Sequence, residues 1–203
     1  MYAGKPIIGI IGGIGSGKTY VARLFGELGC RVISSDEQVR RAYEREDVRR
    51  QLRQWWGEEV FRADGSVDRA AVAKRVFTDA GERARLESLI HPLVRQMRDE
   101  EMAASANDAQ VLAYVWDTPL IVEADLVGQC DAIVFVDAPL EVRRQRVAGR
   151  GWDEGELMRR EKSQAPLDKK RKVAKYIIRN TAGADEDVRN QVRTVLTRVV
   201  ASV

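Results

Sequence analysis

Along the chain, short unbroken apolar runs alternate with longer stretches whose apolar residues recur every three or four positions. The first run, Lys5-Pro-Ile-Ile-Gly-Ile-Ile11, is rich in β-branched residues and reads as a buried strand. A glycine-dense loop, Gly12 to Gly17, follows it. From Lys18 to Leu28, Val21, Ala22, Leu24, Phe25 and Leu28 take helical spacing, and Gly29 stands where that helix should stop. Further short strands are predicted at Arg31–Ser34 (closing on Ser35-Asp36), Gln110–Trp116, Ala132–Asp137 and Tyr176–Arg179. Between about Glu37 and Asn107 the pattern is helical throughout, with a turn at Arg62-Ala-Asp-Gly-Ser66. The stripe Leu86, Leu89, Ile90, Leu93, Val94 and Met97 contains Pro92. Proline lacks the amide proton and clashes one turn back, so this stripe is expected to form two helices. Val188, Val192, Val195, Leu196, Val199 and Val200 mark one more amphipathic helix.

Continuously apolar strands separated by helices specify a parallel sheet covered on both faces. The expected fold is therefore α/β, a five-stranded parallel sheet flanked by helices. A helical insertion near residues 37–107 and a basic helical segment near 150–172 interrupt it. Composition agrees: of 203 residues, 44% are hydrophobic and 32% charged, a globular mix. A net charge of +3 excludes a histone-like polycation. The charge is uneven, however, with 12 basic against 5 acidic residues from Arg143 to Lys175 and a net acidic remainder. Cys30 and Cys130 lie far apart and His91 is the single histidine, so no zinc cluster can be built. The two cysteines read as small buried residues of a reducing cytosol. No apolar run has the length of a membrane span, and the first strand leads into Gly-Lys-Thr rather than a cleavage site, so no signal peptide is expected.

Gly12-Gly-Ile-Gly-Ser-Gly-Lys-Thr19 matches G-x-x-x-x-G-K-[ST], between a predicted strand and a predicted helix. The backbone amides of Gly12, Gly13, Ile14, Gly15, Ser16 and Gly17 turn inward around phosphate oxygens. Lys18 reaches the outer phosphates, Thr19 offers its hydroxyl to Mg²⁺, and the helix presents its positive end. ATP with Mg²⁺ is the cofactor pair this implies. No Asn-Lys-x-Asp guanine motif accompanies it, which argues against a GTPase switch, and the size argues against a nucleic-acid motor. A small-molecule kinase fits a helical insertion and a basic helical segment. Asp36, at the carboxyl edge of the sheet, is either a general base for an attacking hydroxyl or a helix cap. Asp117 is either an acid holding a water on Mg²⁺ or a turn residue before Thr118-Pro119. Arg143, Arg144, Arg146 and Arg150 are either charge-neutralising groups of a lid or a solvated helix face; Arg146 and Arg150, four apart, share a side. His91, beside a proline at an expected helix break, is a functional residue or a plain satisfied histidine.

These pieces together resemble the dephospho-CoA kinase family over nearly the whole chain. The resemblance rests on the glycine loop and Val32-Ile-Ser-Ser-Asp36; on Leu89-Ile-His-Pro-Leu93; on Asp117-Thr-Pro-Leu-Ile-Val-Glu123; on Val136-Asp137 followed by Arg146 and Arg150; and on Gln164-Ala-Pro-Leu-Asp-Lys-Lys-Arg171 leading to Asn180. It implies a P-loop kinase fold with a nucleotide-binding core over 1–36, 108–149 and 173–203, an acceptor-binding helical subdomain over 37–107 and a lid over 150–172. It implies Asp36 as general base and His91, Asp117 and Glu123 at the acceptor site. Lys18, Arg146 and Arg150 then act on the transferred phosphoryl, and Asn180 on the nucleotide. Four positions depart from the family pattern: Ile11, Tyr20, Ser34 and Arg179. The expected partners are ATP and dephospho-CoA, without nucleic acid or membrane, in a cytoplasmic monomer or weak homo-oligomer. A kinase for another small hydroxylated acceptor such as a nucleoside or nucleotide, and a nucleotide-binding switch without turnover, are the alternatives.

Overall fold

The computed structural model describes residues 1–202. Five strands, β1 (Ile7–Gly12), β2 (Cys30–Ser34), β3 (Ala113–Asp117), β4 (Ala132–Asp137) and β5 (Tyr176–Arg179), form one sheet in the order β2-β3-β1-β4-β5. Every pairing is parallel. β1 lies in the middle, with β3 on one side and β4 on the other. Strand order reverses there, which makes the carboxyl end of β1 the place where an open α/β sheet binds ligands.

Alternation along β1 explains the two layers. Ile8 and Ile10 point to one face and join Val115, Val134 and Val136 with helices α1 (Lys18–Glu27) and α9 (Asp185–Val200). Ile7 and Ile11 point to the other face with Ile33, Tyr114, Trp116 and Phe135. All six β1 residues are buried, which is why the run reads as continuously apolar. Gly29, at φ +89°, follows α1 in a conformation that costs glycine little and turns the chain into β2.

The chain divides into two compact units, one of Met1–Ser34 with the chain from Met102 onward, the other of Ser35–Glu101. The first also holds α6 (Leu140–Ala148), α7 (Glu154–Lys162) and α8 (Leu167–Lys172). The second is built from α2 (Ser35–Glu44), α3 (Glu46–Trp56), α4 (Arg69–Thr78) and most of α5 (Ala80–Ala104). It has its own core of Val48, Leu52, Trp56, Val72, Leu86, Ile90 and Met97. The turn expected at Arg62–Ser66 is present, with Gly65 at φ +76° and the Asp64 carboxylate accepting from the Ser66 amide at 2.9 Å.

Three local expectations change. α5 runs unbroken through Pro92. Proline removes one helical hydrogen bond, but Leu86, Ile90 and Met97 are buried on either side of it, and keeping that stripe packed outweighs the loss. Asp36 does not end a strand: α2 begins at Ser35, directly after β2, so Asp36 sits in the first helical turn. β3 begins at Ala113, three residues later than expected, and takes in Asp117 as its last residue.

Candidate active site

The loop after β1 owes its shape to residues that come from far along the chain. A side chain at Gly17 would meet Asn180 Nδ2 at 2.2 Å, and one at Gly15 would meet the Arg143 carbonyl at 2.8 Å. Both glycines also have positive φ, +90° and +76°. A side chain at Gly12 would meet the Val136 carbonyl at 2.6 Å. Only glycine lets the loop lie this close to β4, α6 and the end of β5.

Two side chains hold the loop from behind. Asn180, 3% exposed, donates from Nδ2 to the Ser16 carbonyl at 2.8 Å and accepts at Oδ1 from Arg146 at 3.1 Å. Arg146 also donates to the Ser16 carbonyl at 3.1 Å. Drawing carbonyl oxygens outward leaves the amides of the same loop free to face an anion. Lys18 donates from Nζ to the carbonyls of Gly12 at 3.2 Å and Gly13 at 2.9 Å, which keeps its ammonium at the mouth of the loop. Ile14 contributes its carbonyl, which accepts from Arg143 at 3.4 Å.

Thr19, Ser34 and Asp117 line one open cleft of about 510 Å³ beside α1. Asp117 is 6% exposed and closes β3 opposite Ser34 and Ile10. A hydroxyl and a carboxylate in one cleft are hard oxygen donors of the kind Mg²⁺ takes alongside water and phosphate. Among the described residues no group of three or more His, Cys, Asp or Glu side chains is placed to form a metal cage.

The remaining candidates belong to other elements. Arg150 lies past the end of α6, in a turn closed by Gly151 at φ +78°, so it does not share a helical face with Arg146. Its side chain is exposed and makes no hydrogen bond or ion pair among the described residues, whereas Arg146 is tied to the loop. Glu123 accepts from the Ala165 amide at 2.8 Å and pairs with Lys170 Nζ at 2.9 Å. It thereby ties its own loop to the segment leading into α8. Asp36 and His91 both belong to the second unit, and both are exposed.

Sequence reasoning left Arg143 open as a lid group or a solvated surface residue, and it did not single out Lys170. Arg143 is 7% exposed, touches the loop and pairs with Glu161 of α7. Lys170 is fully buried. Nothing in the run Lys169-Lys170-Arg171-Lys172 separates it from its neighbours.

A parallel sheet with a phosphate-binding loop at the reversal of strand order, a basic segment after β4 and a helical unit inserted after β2 define a small P-loop kinase. A shikimate kinase from Acinetobacter baumannii shares that fold, with a TM-score of 0.52 at 21% identity over 98% of this chain and 94% of its own. The dephospho-CoA kinase family model matches residues 6–186, and the chain belongs to that family. A dephospho-CoA kinase of Syntrophotalea carbinolica is 37% identical over 196 residues, covering 96% of this chain and 92% of its own. A crystal structure from Thermus thermophilus superposes with a TM-score of 0.82 at 35% identity, covering 96% of this chain and 97% of its own.

Proposed function

We propose that the protein transfers the γ-phosphoryl group of ATP to the ribose 3′-hydroxyl of dephospho-CoA, giving coenzyme A and ADP as the last step of coenzyme A synthesis. The observation that carries this reading is the family match over residues 6–186, which takes in the phosphate loop and the strands that shape it. The acceptor identity comes from that kinship; the reaction type is also supported by the loop.

The chemistry is positioning and charge neutralisation, since phosphoryl transfer through a loose transition state leaves little covalent work to the protein. The loop amides, backed by Asn180 and Arg146, hold the phosphates. The Lys18 ammonium leaves the carbonyls of Gly12 and Gly13 for the outer phosphates. Asp36 accepts or orients the acceptor's hydroxyl proton. Thr19 and Asp117 are the residues that would hold Mg²⁺, which when bound neutralises charge on the phosphates. Arg150, exposed and without an ion pair among the described residues, belongs to a lid over 150–172 and serves the transferred group. His91 serves the acceptor. The enzyme works on small molecules in the cytoplasm; among the described residues no helix is long and apolar enough to cross a membrane.

A coupled assay of ADP release with dephospho-CoA, adenosine and AMP as acceptors tests the reading. Robust turnover with dephospho-CoA alone is expected, and Lys18→Ala should abolish it without unfolding the chain. Turnover preferring another acceptor, or ATP binding without acceptor-dependent release, would overturn it.

A further inference from the structure

A fully buried titratable side chain has no part in the chemistry above. Lys170 stands in the run Lys169-Lys170-Arg171-Lys172 of α8, where its three neighbours are exposed and it is enclosed. The partners of its ammonium all lie outside α8. Nζ pairs with Glu123 at 2.9 Å, donates to Gln164 Oε1 at 2.9 Å and reaches the Pro119 carbonyl at 3.5 Å. Glu123 is held a second time, by the Ala165 amide at 2.8 Å. The loop that follows β3 is therefore fastened to residues 164–170 at Pro119 and at Glu123. The same helix touches the phosphate loop: a side chain at Gly13 would meet Leu167 Cδ2 at 3.3 Å. α8 thus reaches both the loop that runs on into Thr19 and the loop that starts at Asp117.

Stability does not account for this arrangement. Removing an ammonium from water costs roughly what its partners return, and an apolar side chain of similar length would fill the space as well. What directed acceptors add is geometry, because Lys170 is satisfied only when Pro119, Glu123 and Gln164 converge on one point. We propose that Lys170 is a positioning residue: through α8 it fixes the loop after β3 against the phosphate loop, and so sets where the Asp117 carboxylate stands relative to the Thr19 hydroxyl. The inference rests on the reading of Thr19 and Asp117 as the residues that would hold Mg²⁺. Sheet pairing with Ile10 and Ser34 holds the Asp117 backbone. The direction in which the chain leaves the sheet, through Thr118-Pro119, is set by the tether. Lys170 acts through Asp117, as an outer group that orients a metal ligand does.

The test measures, by calorimetry on the full chain, the affinity for a non-hydrolysable ATP analogue with Mg²⁺ and again with EDTA. The metal-dependent gain in affinity is the readout. Lys170→Met should reduce that gain by about tenfold, the lower end for loss of a group that orients a metal ligand. The affinity in EDTA should hold, because the loop amides and Lys18 are untouched. Lys170→Gln keeps a donor for Pro119 and Glu123 and should recover part of the gain. A purely structural Lys170 would lower the melting temperature and leave the gain of the folded protein at its wild-type value, and that result overturns the proposal. If Lys170→Met does not fold, Gln164→Ala, which removes one acceptor and keeps the ion pair, is read in its place. A reduced gain there supports the tether, and a wild-type gain overturns it. Asp117→Asn distinguishes failure of the tether from failure of the metal reading. If Asp117→Asn lowers the gain and Lys170→Met does not, only the tether fails. If Asp117→Asn leaves the gain unchanged, the metal reading fails and the positioning role falls with it.

Discussion

Asp36 and Glu123 are both acidic residues that we propose for the acceptor site, and their surroundings differ sharply. Asp36 is exposed in the first turn of α2 and has no ion pair among the described residues. Asp36→Asn keeps its size and changes only its charge and proton affinity. As general base, it should lose about 10²-fold in kcat on substitution, at the low end for general-base catalysis because the transition state is loose. Turnover within about threefold of wild type, far below that range, would leave the metal and the arginines as the mechanism. The melting temperature should barely move. Glu123 behaves otherwise, because Lys170 is fully buried and Glu123 is its carboxylate partner. Glu123→Ala leaves a buried ammonium uncompensated and should cost about 3 kcal/mol in urea unfolding. Unchanged stability with a raised acceptor KM would contradict that structural tie. Two departures from the family pattern have local explanations of the same kind. Ile11 is fully buried in the sheet's second core, and the Tyr20 hydroxyl donates to Asp185 at 3.0 Å, joining α1 to α9. The structure gives no reason for Arg179.

Among the elements, α5 shows packing overriding local preference. Pro92 is exposed, so it contributes little burial while it removes a backbone donor from the helix interior. Pro92→Ala should therefore raise stability, by about 1 kcal/mol or more after allowing for the lost rigidity of the unfolded chain. A calorimetric melting temperature below wild type would show that the break in the ladder is needed. The segment after β4 shows the converse, a charge run sorted by geometry. α6 turns Arg143 and Arg146 toward the phosphate loop and leaves Arg150 outside, beyond its last turn. Spacing along the chain pairs Arg146 with Arg150, and the end of α6 before Arg150 undoes that pairing. Where the helix ends was decided by Gly149 and Gly151, and that end separates Arg150 from Arg143 and Arg146.

For the whole molecule, the main core makes stability sensitive to alkali. Cys30 is 8% exposed at the start of β2, and burial pushes its thiol from 9.0 up to about 12. The folded state keeps that proton to higher pH than the unfolded state does. Its contribution to stability is therefore complete below pH 9.0 and is lost as pH rises toward about 12. Melting temperatures should fall more steeply across that window in wild type than in Cys30→Val; parallel slopes would refute the assignment. What the sequence determined alone was whatever rests on neighbours in the chain. The strand–glycine loop–helix unit, the alternation of strands and helices and the turn at Arg62–Ser66 each follow from residues a few positions apart, whose backbone preferences act locally. The tertiary structure decided the order β2-β3-β1-β4-β5, the clamp of Asn180 and Arg146 on the phosphate loop and the burial of Lys170 against Glu123. Each of these joins residues from different elements, and spacing along the chain carries no record of which surfaces meet once their apolar faces are buried.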